Sequence, residues 1–419
     1  MKYPAFILAF IVSCFSGLIG CGKPFSGQSS STKEVSSFWS RSWTPSSSDM
    51  QASQQPFQGS VGQNIAILLP FKGIHAKAAY AILDGFLAAY YQDSQGRFPG
   101  ASVRVYDTSH NNAANLYLKA VADGANFVVG PLTKKEVQTV AQLRSLPIPV
   151  LALNSVTQFR DSEPLFQFGL VPEEETGALA QRAFRAGHKQ ALILVPKNEW
   201  GQRMNTAFRK AWLHEGGIIT ATYWAEAGPE LASQLKTFLQ VNDRRARELG
   251  KVRAGTLKGS DPRRRHDFDV IILATSPELA RQIRPLLNFY YAGHLPIYGT
   301  SSIYAGLTNP AKDLDLNGII FSDMPGILDK QQASPELLQA FQSLWPNQAS
   351  SAIRLFMMGM DAYELTRALP SLQTGNNTLN GRSGVLRVDE EHRLQRKLSW
   401  AQFHGGQPEM LYEDSHEQP

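Results

Sequence analysis

From residue 64 onward, short apolar runs alternate with longer stretches in which apolar side chains recur every three or four positions. The first run, Ile65-Ala66-Ile67-Leu68-Leu69 before Pro70, has no polar alternation, the pattern of a strand buried on both faces of a parallel sheet. The stretch 76–91 then places Tyr80, Leu83, Leu87 and Tyr91 at helical spacing. By the same reading 102–106, 127–129 and 149–153 are strands, and 112–123 and 134–144 are helices. A second set follows Pro172: a helix from Glu173-Glu174-Glu175 to Gly187, strand 191–195, helix 201–215, strand 218–223, helix 231–241, strand 270–274 and helix 277–290. Two successive runs of strand and helix predict an α/β protein of two doubly wound lobes with mainly parallel sheets. Ligand clefts in such folds lie at the carboxyl ends of the strands. The three glutamates read as negative charge in a first helical turn, which the helix dipole favours.

The pattern before residue 64 is of another kind. Lys2, the apolar run 5–19 and the ending Leu18-Ile19-Gly20-Cys21 predict a signal peptide over 1–20. Its core of about 15 residues falls short of the ~20 that span a bilayer. A small residue before cysteine resembles a lipobox and makes Cys21 the candidate lipidation site; the alternative is an ordinary secretory signal with a chance cysteine. Several acyl chains, at ~0.8 kcal/mol per buried CH₂, would make attachment permanent, whereas one would be marginal. Gly22 and Lys23, not Asp, follow the cysteine, so the expected location is the periplasmic face of the outer membrane. Residues 21–61, rich in Ser, Gln and Pro, are too polar to offset the entropy of ordering and are expected to act as a tether. Phe38, Trp39 and Trp43 within it are either docking groups or an inert sticky cluster.

Composition narrows the chemistry. Both cysteines, Cys14 and Cys21, precede residue 25, so the body has no thiol for a disulfide, a cysteine protease or a thiolate zinc site. A net charge of +5 is small for 419 residues and selects no partner by itself. The excess concentrates in 242–269, where Arg244, Arg245, Arg247, Arg263, Arg264 and Arg265 face few acids. Without interleaved aromatics this is not a nucleic-acid reader; it is expected to be an exposed excursion, either a solvated loop or a handle for an acidic partner or the cell wall. No HExxH, Walker loop, GxSxG elbow or strand-linked GxGxxG occurs, and the nine histidines are scattered, so no metal, cofactor or catalytic group is expected. Ser30-Ser31-Thr32-Lys33 satisfies SxxK but lies in the tether without SDN or KTG companions. The polar turns after strands, with Thr133, Asn154, Ser155, Asn198 and Trp200, are candidate lining for a small-ligand cleft and equally good helix caps and turn formers.

Several stretches resemble the carboxy-terminal domain of the penicillin-binding-protein activator lipoproteins, the LpoA or LppC family, from about 63 to 410. They are Asp84-Gly85-Phe86-Leu87-Ala88-Ala89-Tyr90-Tyr91, Val105-Tyr106-Asp107-Thr108, Val128-Val129-Gly130-Pro131-Leu132 and Pro149-Val150-Leu151-Ala152-Leu153-Asn154. Phe321-Ser322-Asp323-Met324-Pro325, Met358-Gly359-Met360-Asp361-Ala362-Tyr363 and Leu379-Asn380-Gly381-Arg382-Ser383-Gly384 follow in the same order. The resemblance implies a type I periplasmic-binding-protein-like architecture over 62–410, two lobes joined by three crossovers, with a tail at 411–419. The first lobe would take about 62–171 and 324–372, and the second about 172–323 and 380–410, including strands near 385–388 and 397–403. It also implies allosteric stimulation of a class A penicillin-binding protein that builds peptidoglycan, with no catalytic group of its own. Full-length members carry a helical-repeat domain ahead of this one, where this sequence has the tether, so reaching the synthase is expected to require tether extension. A solute receptor for a small polar ligand is the competing reading, and an enzyme the third.

Overall fold

The computed structural model describes residues 64–94, 101–156, 164–242, 263–329, 341, 345, 350–373 and 377–412. The signal peptide, Cys21, the tether with its SxxK sequence and aromatics, and Arg244, Arg245 and Arg247 lie outside the described residues.

The first apolar run is strand β1 (Asn64–Leu69), buried from Ile65 to its end. With β2 (Ser102–Asp107), β3 (Phe127–Val129), β4 (Val150–Ala152) and β5 (Leu165–Gln167) it forms a five-stranded sheet of order β2-β1-β3-β4-β5. Every pairing in it is parallel, as expected for a sheet covered on both faces. Helices α1 (Ala76–Ser94), α2 (Ala113–Ala122) and α3 (Lys134–Ala141) connect the first four strands. Tyr117 and Ala120 of α2 and Val140 of α3 pack with Ala66, Leu68 and Val128 in one apolar cluster.

The second lobe alternates α4 (Pro172–Arg185), β6 (Gln190–Pro196), α5 (Glu199–His214), β7 (Ile218–Ala225) and α6 (Leu231–Phe238). There follow β8 (Val270–Leu273), α7 (Pro277–Phe289), β9 (Ile297–Gly299), the short α8 (Pro310–Asp313) and β10 (Ile319–Asp323). Its core joins Leu179, Ala180 and Ala183 of α4 to Met204, Phe208 and Trp212 of α5 over Ile193 and Ile272 of the sheet.

After the short α9 (Pro325–Leu328) the chain returns to the first lobe as α10 (Ser350–Leu372), which packs along α1. Two glycines permit that close approach: a Cβ on Gly85 would collide with the Phe356 carbonyl oxygen, and one on Gly359 with that of Ile82. The last crossover carries β11 (Leu379–Asn380), β12 (Val385–Val388) and β13 (Leu394–Lys397), and then β14 (Ser399–His404) and β15 (Gln407–Leu411). Strands β14 and β15 extend the second sheet antiparallel from β10, in the order β15-β14-β10-β9-β8-β6-β7. Val385–Val388, expected to join this lobe, forms instead a separate three-stranded sheet with β11 and β13. That small sheet is fastened to the first lobe: Gln167 donates its backbone N–H to the His392 carbonyl at 2.9 Å, and the Phe166 and His392 rings lie 5.0 Å apart.

Replacing Gly359 with alanine should destabilise the protein by about 1–3 kcal/mol through overpacking of α1 against α10. Gly177→Ala on α4, where a Cβ meets nothing within 4 Å, should be neutral or slightly stabilising. Urea unfolding midpoints of the two variants decide the matter.

Candidate functional site

Buried charged side chains gather where the chain crosses between the lobes. Arg354, 8 % exposed, leaves α10 and enters the second lobe. Its Nε donates to Asp323 Oδ1 at 2.9 Å, and its Nη2 donates to Asp323 Oδ2, to the Ser301 carbonyl at 2.9 Å and to the Tyr304 carbonyl at 3.2 Å. Asp323, the last residue of β10, is fully buried and also accepts the Met324 N–H at 2.8 Å. Burial pushes its pKa up against the attraction of Arg354. Burial, the largest single influence, pulls the guanidinium down, and the charge and hydrogen bonds of Asp323 together with the charges of Glu175 and Tyr304 raise it on balance.

Glu175 sits beside this pair. Ser301 Oγ donates to its Oε2 at 2.9 Å, and the Ser301 N–H and Ser322 Oγ donate to its Oε1. Burial raises its pKa to about 7, opposed by the Ser301 N–H and reinforced by Asp323. The helix-dipole account of Glu173-Glu174-Glu175 therefore covers only part of the motif: Glu173 pairs with Arg203, while Glu175 is a junction residue. On the third crossover, buried Asp361 of α10 accepts the N–H groups of Arg382 and Ser383, both at 2.7 Å, and the Ser383 hydroxyl. A long helix of one lobe is thus tied by two carboxylate-centred clusters to both chain segments that leave it.

The polar turns are structural caps first. Thr133 and Glu136 form a reciprocal capping box on α3. Asn154 donates Nδ2 to the Leu132 carbonyl at 2.9 Å and accepts the Ser155 N–H, which joins the two turns of the first lobe. Asn198 caps α5 by accepting the Gly201 N–H at 2.8 Å, and Trp200 packs on the second core. Asn198 and Trp200 nonetheless share a cavity of about 340 Å³ with Thr275, Ser276 and Ser302 at strand carboxyl ends. Thr275 Oγ1 there is buried without a hydrogen-bond partner.

The expectation of a fully solvated basic excursion is corrected at its carboxyl end. Arg264 is only 5 % exposed and donates Nε to the Tyr291 carbonyl at 2.9 Å. Arg263 lies 3.9 Å over the Tyr291 ring, and Arg265 pairs with Asp267. Their aliphatic stems and flat guanidinium groups suit aromatic surface as well as water, which charge counting does not register. Among the described residues no His, Cys, Asp or Glu cluster could hold a metal ion. No helix among them is long and apolar enough to cross a membrane.

Removing the cation of the junction strands a buried carboxylate, so Arg354→Met should cost about 3–5 kcal/mol in a urea melt. Glu175 has the opposite sign from an ordinary paired acid. Its folded pKa lies above the ordinary value of 4.5, so its contribution is full below that pH and is lost as pH rises toward 7. Relative to Glu175→Gln, the native protein should lose up to about 3 kcal/mol between pH 4.5 and 7.5. A constant difference across that range would refute the assignment.

Comparison with known proteins adds an independent line. The model of the LppC putative lipoprotein family matches residues 52–406. Penicillin-binding protein activator LpoA of Photobacterium profundum is 33 % identical over 350 residues, covering 81 % of this chain and 56 % of that protein. The corresponding Vibrio cholerae protein is 30 % identical over 349 residues, 82 % of this chain and 57 % of its own length. The chain spans little more than half the length of these curated relatives. Among solved structures, the LpoA (YraM) C-domain from Haemophilus influenzae, a regulator of PBP1A, superposes with a TM-score of 0.64 at 25 % identity. That match covers 84 % of this chain and all of that domain. A putative branched-chain amino acid ABC transporter from Chromobacterium violaceum superposes with a TM-score of 0.61 at 25 % identity, over 81 % of this chain and all of its own. Several junction residues, Ser322, Asp323, Asp361, Arg382 and Ser383, stand in the stretches whose order first suggested the family. By sequence and by fold alike, the chain belongs to the LppC lipoprotein family.

Proposed function

We propose that this protein is a lipid-anchored regulator that binds a class A penicillin-binding protein and shifts it toward its active conformation, stimulating peptidoglycan synthesis. The observation that carries the reading is the match of this folded region to an entire C-domain that regulates PBP1A. It is supported by relatives named as activators and by a junction built to hold two lobes in a fixed relation, not to turn over a substrate. Activation of this kind needs only a surface with differential affinity for two states of the partner. Cys21 is the proposed acyl site, on the periplasmic face of the outer membrane, and Arg244, Arg245 and Arg247 the proposed electrostatic contact with the synthase or cell wall. Arg264 is withdrawn from that contact because it is buried.

A solute-receptor reading has one observation of its own, the strand-end cavity with the unpartnered Thr275 hydroxyl. Ligand at a hundredfold excess over Kd would stabilise such a receptor by ~2.7 kcal/mol.

The deciding assay is glycan polymerisation by the cognate class A synthase with and without the region from residue 62 onward, alongside a binding titration. The regulator reading expects saturable binding and a faster rate, and a triple Arg→Glu change at Arg244, Arg245 and Arg247 should weaken binding at least tenfold at low salt. A folded protein that neither binds nor stimulates would move the weight to a solute receptor.

A further inference from the structure

An open cavity lies where the second sheet is extended antiparallel from β10. Helices α4 and α5 cover the parallel strands, but Tyr298, Ile320 and Trp400 of β9, β10 and β14 floor this cavity of about 400 Å³ beside α4. Its walls bring four cations, Arg182 and Arg185 from α4 and Arg396 and Lys397 from β13, against two carboxylates, Glu174 and Glu175. Arg182 and Arg185 are three residues apart on one helix and so point the same way. Among the described residues neither pairs with a carboxylate within 4 Å, and the Arg182 guanidinium lies 4.6 Å over the Trp400 ring. Arg396 of β13 lines the same cavity. Its Nη1 donates to the Ser383 carbonyl at 3.2 Å, and its Nε is buried without a hydrogen-bond partner.

Among the described residues the two acids attract Arg396 but make no ion pair with Arg182 or Arg185. Glu175 is already held by Ser301 and Ser322. Among the described residues Glu174 makes no ion pair within 4 Å, and burial raises its pKa against the attraction of Arg396 and Arg393. Their presence also selects among anions: a doubly charged phosphate meets two carboxylates at close range, whereas a single carboxylate gains the planar, bidentate fit that arginine offers. The floor, with its indole and isoleucine, suits an apolar body.

We propose that this cavity binds a small organic anion, a carboxylate on an apolar body, with the carboxylate on Arg396, Arg182 and Arg185 and the body against Trp400 and Ile320. Such a group comes either as a free acid or as the carboxyl end of a peptide. The site stands apart from the strand-end cavity, and because Glu175 belongs to both the cavity wall and the interlobe junction, occupancy is coupled to the packing of the lobes.

The test is calorimetric titration of the full-length chain carrying Cys21→Ser with three probes: 4-methylpentanoate, N-acetyl-Ala-Ala-Leu with a free carboxyl group, and the carboxamide of that tripeptide. At least one acid should bind with a Kd in the millimolar range or tighter, and which one does so identifies the source. The carboxamide should be at least tenfold weaker than its acid, the worth of about one charge-assisted hydrogen bond. Arg396→Gln should weaken the bound acid to a similar degree. Should that variant fail to fold, the exposed Arg185→Gln serves, with an expected loss of at least threefold and an unchanged melting curve. Absence of saturable heat from both acids up to about 10 mM, equal affinity for acid and carboxamide, or a folded Arg185→Gln protein of unchanged affinity would overturn the proposal.

Discussion

The Arg354 guanidinium can meet Asp323 only when α10 of one lobe and the end of β10 of the other lie in one relative position. In water the pair would be worth little, but here both groups are nearly or wholly out of solvent. The attraction need not add stability over an apolar contact of the same volume. What it adds is a penalty for every arrangement in which one charge remains buried and the other departs. The carbonyls of Ser301 and Tyr304 also accept from the guanidinium's Nη2, and Glu175 accepts from Ser301 in turn, so the loop after β9 is held from two sides. Asp361 does the same for the last crossover. The geometry of the two lobes is therefore set by a few desolvated charges, and the apolar cores on either side supply the bulk of the folding free energy.

Much of this was legible in the sequence because buried parallel strands and the helices between them carry strong periodic signals. β1, β6 and β8 are apolar without alternation, and α5 places Met204, Phe208 and Trp212 on one face. Three-residue strands such as β5 and β9 are too short to carry a period, and they escaped notice. Strands β11, β12 and β13 form a sheet of their own, which the sequence does not foretell because strand pairing is a tertiary choice that local pattern does not record. The junction was illegible for a similar reason: Glu175, Ser301, Asp323 and Arg354 are far apart in the chain, and each alone reads as a helix-turn charge, a turn former or a surface residue. A buried acid inside a family-matching stretch was the available signal, as at Asp323 and Asp361. The turn residues Thr133 and Asn198 show the converse, since their capping roles were among the readings their types allowed.

Regulation and ligand binding need not compete on this scaffold. Two doubly wound lobes offer strand ends, crossovers and outer helix faces as separate surfaces, and function follows the site more than the fold. A protein held in a single lobe arrangement presents a constant surface to a partner. A carboxylate site that shares Glu175 with the junction would let a small molecule bear on that surface without lying in the partner's path.

The central claim is that the junction holds the lobes in one arrangement, and a distance measurement tests it directly. The body lacks cysteine, so spin labels at Lys119→Cys on α2 and Lys210→Cys on α5, both exposed, would report only on the lobes. Pulsed dipolar spectroscopy of the region from residue 62 onward should give one narrow distance distribution, unchanged by salt. A broad or two-peaked distribution would mean that the buried pair does not govern the lobes, and would contradict the account.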